Sequence, residues 1–319
     1  IRASWTHPYD SHTSADGGHT WVRGMLDAWY LAGNARVQEA ALNLGEHIVW
    51  AMAPEFKRLG SHERSAGWSL YAVCALYGFN YDPLYLRAAD KIAGVALKEQ
   101  NFAKGGAWPH LLPKDHAMGN ANTYGNACFL IGIMLQGMKN YHELTGRPEA
   151  KKSIVAASGW LASAWQKDSM GWPYTAEYTG KGYGPAKAAP LNLQMAPSLA
   201  YAAVLADNPK QYEIACRSLE VVAMLSSNAI GKELSIMLGF SPELISDVYR
   251  WQQSHPQTPK NLLKTLDMQF LMKKVNTTNF RVRAPEHKVF VCRLNTDRAE
   301  LEVERQRHGA IPNPKPTGT

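Results

Sequence analysis

Cysteine is scarce. The 319 residues hold four, Cys74, Cys128, Cys216 and Cys292, far apart and without a C-x-x-C or paired Cys/His spacing. That leaves no frame for a structural zinc site and none for a set of disulfides. Cys74, Cys128 and Cys216 lie in apolar helical text, where buried thiols are common. Long apolar runs are missing too. None reaches the roughly 18 uncharged residues of a membrane helix, so "ACFLIGIMLQGM" reads as a buried helix and no membrane partner is expected. The chain has no glycine-rich phosphate loop, nucleophile elbow or dinucleotide fingerprint. Charge is modest, at 19% of residues, yet Lys and Arg outnumber Asp and Glu by 34 to 27, a net +7. Such a surplus favours an acidic partner. It forms no basic cluster and is set among 10 Trp and 14 Tyr. The partner expected is therefore an acidic polysaccharide or oligosaccharide, with no nucleic acid.

What is present is a repeated helical hairpin. "HTWVRGMLDAWYLAGNARVQEAALNLGEHIVWAM" reads as helix, turn at Gly33-Asn34, helix. The same grammar recurs in "ERSAGWSLYAVCALYGFNYDPLYLRAADKIAGVAL", turning at Asn80 to Pro83. It recurs again around Gly146-Arg147-Pro148 and around Asp207-Asn208-Pro209. Gly, Asn and Pro at these points stop and start helices. First helices are the more apolar, and second helices alternate apolar and charged residues at helical spacing. An inner ring of helices sheathed by an outer ring has this pattern, so the expected fold is all-α, an α/α toroid over residues 1–255. After Gly239 the pattern loosens. "SPELISDVYRWQQ" and "NLLKTLDMQFLMKKV" read as helices separated by "SHPQTPK", the second forming a helical connection over 256–280. A β-rich tail is expected over 281–319, because "NFRVRA", "KVFVCRLN" and "AELEVERQ" alternate with strand period. "GAIPNPKPTGT" reads as a disordered end. The chain opens on Ile1, so a longer protein, with further β-domains or a partner chain, is expected.

The turns inside the hairpins are bland, whereas the connections between them are rich in His, Trp, Tyr and Gly. They are "SWTHPYDSHTSADGGHTW", "GSHERSAGW", "GGAWPHLLPKDHAMGNANTYGN" and "MGWPYTAEYTGKGYGPAKAAPLNLQ". In a hairpin array these four meet on one rim around the central cavity, where function concentrates. His7, His12, His19, His62, His110 and His116 fall in the first three.

"GGHTWVRGMLDAWYLAGNARVQEAALNLGEHI" and "HERSAGWSLYAVCALYGFNYDPLYLRAADKI" resemble the toroid of the exo-rhamnogalacturonan lyase and YetA-like proteins, over roughly residues 15–250. The Arg-then-Gly-Trp helix start, the Tyr-rich helix and the Tyr-Leu-x-x-Ala-Ala helix are similar to other toroidal carbohydrate enzymes as well. Unsaturated glucuronyl hydrolases and bacterial arabinofuranosidases are among them. The resemblance implies an enzyme acting on a uronate-containing plant polysaccharide such as rhamnogalacturonan in pectin, and hence a secreted or periplasmic protein.

Two chemistries compete for the rim. β-Elimination needs a group that withdraws charge into the uronate carboxylate, a base and an acid. The preferred assignment gives the carboxylate to Arg64 and Asn122, the acid to Tyr124, and the base to His62 or His110. Hydrolysis needs carboxylates flanking the bond. The rim offers Asp10, Asp16, Glu63, Asp115 and Glu177, of which Asp16 and Glu63 come first. The excess of His and Tyr over carboxylates favours elimination. His12, His19 and His62 offer a divalent cation no compact ligand pattern, so no metal residues are assigned and the cofactor stays open. His19, Arg23 and Asp27 share a helix face that lines the cavity or forms a salt-bridged surface. Trp108 and Trp172 are assigned to stacking on sugar rings, as aromatic neighbours of the rim, and Lys181 and Tyr183 to clamping an anionic chain. A non-catalytic carbohydrate-binding toroid is the third reading.

Overall fold

The structure is a computed structural model that describes residues 18, 20–112, 123–184, 191–225, 232–257, 280–283, 289–295 and 300–304. Helical hairpins follow one another along the chain. They pair α1 (Arg23–Ala32) with α2 (Ala35–His47), α3 (Glu63–Asn80) with α4 (Pro83–Glu99), and α5 (Cys128–Thr145) with α6 (Pro148–Ala164). A last pair joins α7 (Asn192–Ala206) to α8 (Pro209–Leu225), and α9 (Lys232–Ser254) follows.

The turns share one local chemistry. The first helix of each pair ends on a left-handed residue, Gly33, Tyr81, Gly146 or Asp207. The N–H of that residue returns to a carbonyl of the last turn, closing the helix. In three pairs the second helix then opens on proline, Pro83, Pro148 or Pro209, where the missing N–H has no helical partner to lose. Asn34 and Asp82 cap their helices by accepting the N–H groups of Val37 and Leu84.

Burial separates the two rings. In α7 every residue from Asn192 to Ala203 is buried, as befits a helix enclosed on all sides. In α2 only Ala41, Leu44 and Gly45 are buried, one stripe facing inward. The inner helices α3, α5 and α7 meet almost backbone to backbone. A Cβ on Gly67 of α3 would stand 2.6 Å from the Ile133 oxygen of α5, and one on Gly132 of α5 would collide with the Gln194 oxygen of α7. The α/α toroid expected from the hairpin repeat is the fold observed.

Helix α9 departs from expectation at its start. The expected loosening after Gly239 is absent, and the helix runs through Gly239 and Pro242. Pro242 forfeits a backbone bond. Against that, Phe240 and Leu244 are buried, and Ser241 donates its hydroxyl to the Met237 oxygen at 2.5 Å. Apolar burial at about 25 cal/mol per Å² outweighs one hydrogen bond of about 1 kcal/mol.

α9 also closes the ring. Glu243 pairs with Arg23 of α1 at 2.7 Å and accepts the Tyr71 hydroxyl of α3 at 3.1 Å. Buried Lys139 of α5 reaches Asp247 at 2.6 Å and Glu243 at 3.5 Å. The stripe of the first inner helix is therefore salt-bridged at Arg23.

At the end where the inner helices begin lies an antiparallel sheet, in the order β1 (His110–Leu111), β2 (Tyr124–Ala127), β3 (Thr175–Glu177), β4 (Gly182–Tyr183). It sews two inter-hairpin connections together. Further along the chain, β5 (Phe280–Arg283), β6 (Val289–Asn295) and β7 (Glu300–Glu304) form an antiparallel meander. The helix expected within 261–275 lies outside the described residues. No helix among the described residues is long and apolar enough to cross a membrane.

Candidate active site

The sheet decides which rim residues can act together. Its register pairs His110 with Gly125 and Gly125 with Glu177, while Leu111 pairs with Tyr124. Directly opposed residues share a face, and neighbours along a strand alternate. His110 and Glu177 therefore lie on one face, two strand spacings or about 10 Å apart. Thr175 and Tyr183, also paired, share that face. Tyr124 and Leu111 occupy the other. Gly125 leaves the row between His110 and Glu177 without a side chain, since a Cβ there would collide with the Ala176 oxygen.

Glu63 is the residue beneath His110. It opens α3, where the helix dipole favours an anion, and its side chain is 0% exposed. His110 Nδ1 stands 3.1 Å from Glu63 Oε1 and 3.1 Å from the Trp108 main-chain oxygen. One N–H cannot point squarely at both. The carbonyl takes the hydrogen bond, and neither Glu63 oxygen has a hydrogen-bond donor among the described residues. Burial pulls the His110 pKa down, but the Glu63 carboxylate and the Trp108 carbonyl more than offset it, so the value lies above 6.5. A buried carboxylate facing a histidine, without another partner among the described residues, is a poor structural device and a good chemical one.

Glu177 differs. It is partly exposed, accepts the Tyr183 hydroxyl at 3.1 Å and accepts the Thr179 hydroxyl at 3.2 Å. Burial and the adjacent Glu177 hold the Tyr183 hydroxyl above its ordinary pKa, so it remains a donor.

Several expected site residues fall elsewhere. Trp108 and Trp172 are core: they are 3% and 1% exposed. Their indole N–H groups donate to the main-chain oxygens of Ala96 and Leu161, each at 2.7 Å. Neither ring offers a face to a sugar. An amphipathic indole beside a rim is pulled inward wherever a carbonyl can receive its N–H. Tyr124 is exposed, but on the face away from His110, so the two cannot serve as acid and base on one substrate. His62 occupies the N-cap position of α3 with an exposed side chain that makes no cap bond. Arg64 is partly buried and joins no ion pair among the described residues. Lys181 is exposed on the β3–β4 turn, where its carbonyl accepts the Glu177 N–H at 2.8 Å. His12, His19 and Asn122 lie outside the described residues, as do His7, His116, Asp10, Asp16 and Asp115. Among the described residues no three His, Cys, Asp or Glu side chains form a metal-binding group.

Sequence reasoning missed the pairing of Glu63 with His110, 47 positions apart. It also missed Glu243 and Asp247 in the ring interior. Their spacing of four on one face of the expected helix "SPELISDVYRWQQ" was a signal that the rim-centred reading passed over.

No protein-family model matches this chain, and no curated protein does. Among solved structures it is similar to the unsaturated glucuronyl hydrolase, responsible for the degradation of glycosaminoglycan, from Bacillus sp. GL1. The TM-score is 0.59 at 15% identity, over 89% of this chain and 79% of that one. A UGL variant with dGlcA-Glc-Rha-Glc gives the same score and identity over 87% of this chain and 78% of its own. At this identity the likeness concerns the fold, and both neighbours are α/α toroids.

Proposed function

We propose that this protein is a carbohydrate-active enzyme that hydrolyses short acidic, uronate-containing saccharides, with Glu63, His110 and Glu177 at its reaction centre. The observation that carries the reading is the fully buried Glu63 carboxylate, held 3.1 Å from His110 and without another hydrogen-bond donor among the described residues. A glycosidase needs a proton donor at the leaving oxygen and a carboxylate on the opposite side of the bond. In this reading His110, held against the buried Glu63 carboxylate, supplies the donor. Glu177, oriented by Tyr183 and Thr179, supplies the second carboxylate, which activates water or faces the cationic ring of the transition state. The net charge of +7 favours approach of an acidic substrate, and the neighbours' saccharides are of that class.

β-Elimination, the chemistry preferred from the rim's composition, loses support because Tyr124 stands across the sheet from His110. Rhamnogalacturonan fragments remain the first substrates to try, on the strength of the sequence resemblance. The test is incubation with saturated and unsaturated uronate oligosaccharides, following reducing ends and the absorbance of a carbon–carbon double bond conjugated to a carboxylate. Hydrolysis releases reducing ends without new absorbance, and Glu63→Gln and Glu177→Gln each lower turnover by about 10²–10⁴. Growth of the absorbance identifies elimination instead. Absence of both products, with saccharide binding retained, leaves the binding-module reading.

A further inference from the structure

Behind the sheet, on the side of Tyr124, a groove of about 520 Å³ opens between the 102–106 loop, α6 and the β3–β4 turn. That volume lies in the range of small-molecule sites. Its floor exists because glycines allow it. A Cβ on Gly105 would collide with the Tyr178 oxygen, and one on Gly180 with the Ser163 hydroxyl. Gly105 and Gly106 also take φ of +81° and +82°, which other residues rarely adopt.

The rings of Phe102, Trp160 and Tyr178 line it, and Lys104, Lys152 and Tyr124 stand against two of those rings at its edge. Phe102 and Tyr178 are 47% and 40% exposed, and Tyr124 meets Tyr178 edge-on at 6.3 Å. Lys152 Nζ sits 4.8 Å above the Phe102 ring. Lys104 Nζ sits 4.6 Å from the Tyr124 ring and 5.8 Å from that of Tyr178. Neither lysine forms an ion pair with a carboxylate among the described residues. Exposed rings with ammonium groups held over them by cation–π contact present flat apolar area and unneutralised positive charge together. A neutral ligand would leave that charge unused.

We propose that this groove is an accessory site for a carboxylate-bearing saccharide chain, separate from the Glu63–His110 centre and on the opposite face of the sheet. A uronate chain matches it in both respects: sugar rings pack against Phe102 and Tyr178, and carboxylates reach Lys104 and Lys152. The inference deepens the proposed function, since it concerns the same substrate class.

The test is calorimetric titration of tetragalacturonate into the wild type, Glu63→Gln, the double variant Lys104→Glu/Lys152→Glu, and Tyr178→Ala. All the groove substitutions are at exposed positions and leave the core intact. The expected result is binding retained in Glu63→Gln but weakened about tenfold or more in the double variant and in Tyr178→Ala. Neutral cellotetraose should bind the wild type at least tenfold more weakly than tetragalacturonate does. Equal affinity in the wild type and the double variant overturns the groove site, as does no binding to the wild type. Equal affinity for cellotetraose overturns the charge argument. Loss of binding in Glu63→Gln alone places the ligand at the reaction centre, refuting the groove while sparing the proposed function. Binding of a sulfated saccharide that has no carboxylate, such as sucrose octasulfate, in preference to tetragalacturonate refutes the ligand class.

Discussion

Replacing His110 with alanine isolates the energetics of the candidate site. The substitution leaves Glu63 buried, 0% exposed, beside an empty space. Breaking a buried pair by removing one partner costs about 3–5 kcal/mol. The lost imidazole packing adds a part that does not vary with pH, and Glu63→Gln/His110→Ala compared with Glu63→Gln measures it. The coupling between the residues should therefore be about 3 kcal/mol at pH 7. With unfolding entropy of about 0.7 kcal/mol per kelvin for 319 residues, the pH 7 coupling corresponds to about 4–5 °C in Tm. In the wild type the raised His110 pKa gives a contribution fully present below about 6.5 and lost as pH rises through the higher folded value. Neither variant should show that loss. Urea unfolding of the four proteins at pH 5, 7 and 8.5 measures every quantity. Equal effects of His110→Ala with and without Glu63 would show that the two do not interact, and the site would lose its basis.

Other outcomes follow from the packing. Gly67→Ala should lower stability by about 1–3 kcal/mol, because its Cβ would meet α5 backbone at 2.6 Å; Gly94→Ala, helical with nothing within 4 Å, should raise it by about 0.5–1 kcal/mol. Thermal melts of the two give opposite signs or the close-packed inner ring is misjudged. Lys139→Met removes the ammonium group shared by Asp247 and Glu243 but leaves Arg250 on the first at 3.1 Å and Arg23 on the second at 2.7 Å, and should cost about 1–3 kcal/mol in chemical denaturation. Trp172→Phe removes a buried indole and its bond to Leu161. It should lower Tm while leaving saccharide affinity unchanged, and a selective loss of affinity would return Trp172 to the binding site.

The hairpin repeat was legible because it is written locally. "AGNA", "NYDP", "TGRP" and "ADNP" each contain a left-handed stop followed by a cap or a helix-opening proline, and such signals work over four residues whatever surrounds them. The inner helices were legible too, because a helix enclosed by others must be apolar on all sides. Composition likewise pointed to the rim, and the rim holds Glu63, His110 and Glu177.

Which rim residues act together was decided only in three dimensions. Strand register has period two, so one step along β2 sends Tyr124 to one face and sets Gly125 between His110 and Glu177 on the other. Nothing in the composition of "GNANTYGN" encodes that choice. Trp108 and Trp172 were drawn inward by the carbonyls of Ala96 and Leu161, partners fixed by tertiary packing. Glu63 reads in sequence as the charged first residue of a helix. The closing of β1 over α3 buried it and set His110 against it, with no other donor to its oxygens among the described residues. Local backbone preference determined the toroid, and long-range contact determined its chemistry, because burial and partnership belong to the folded chain.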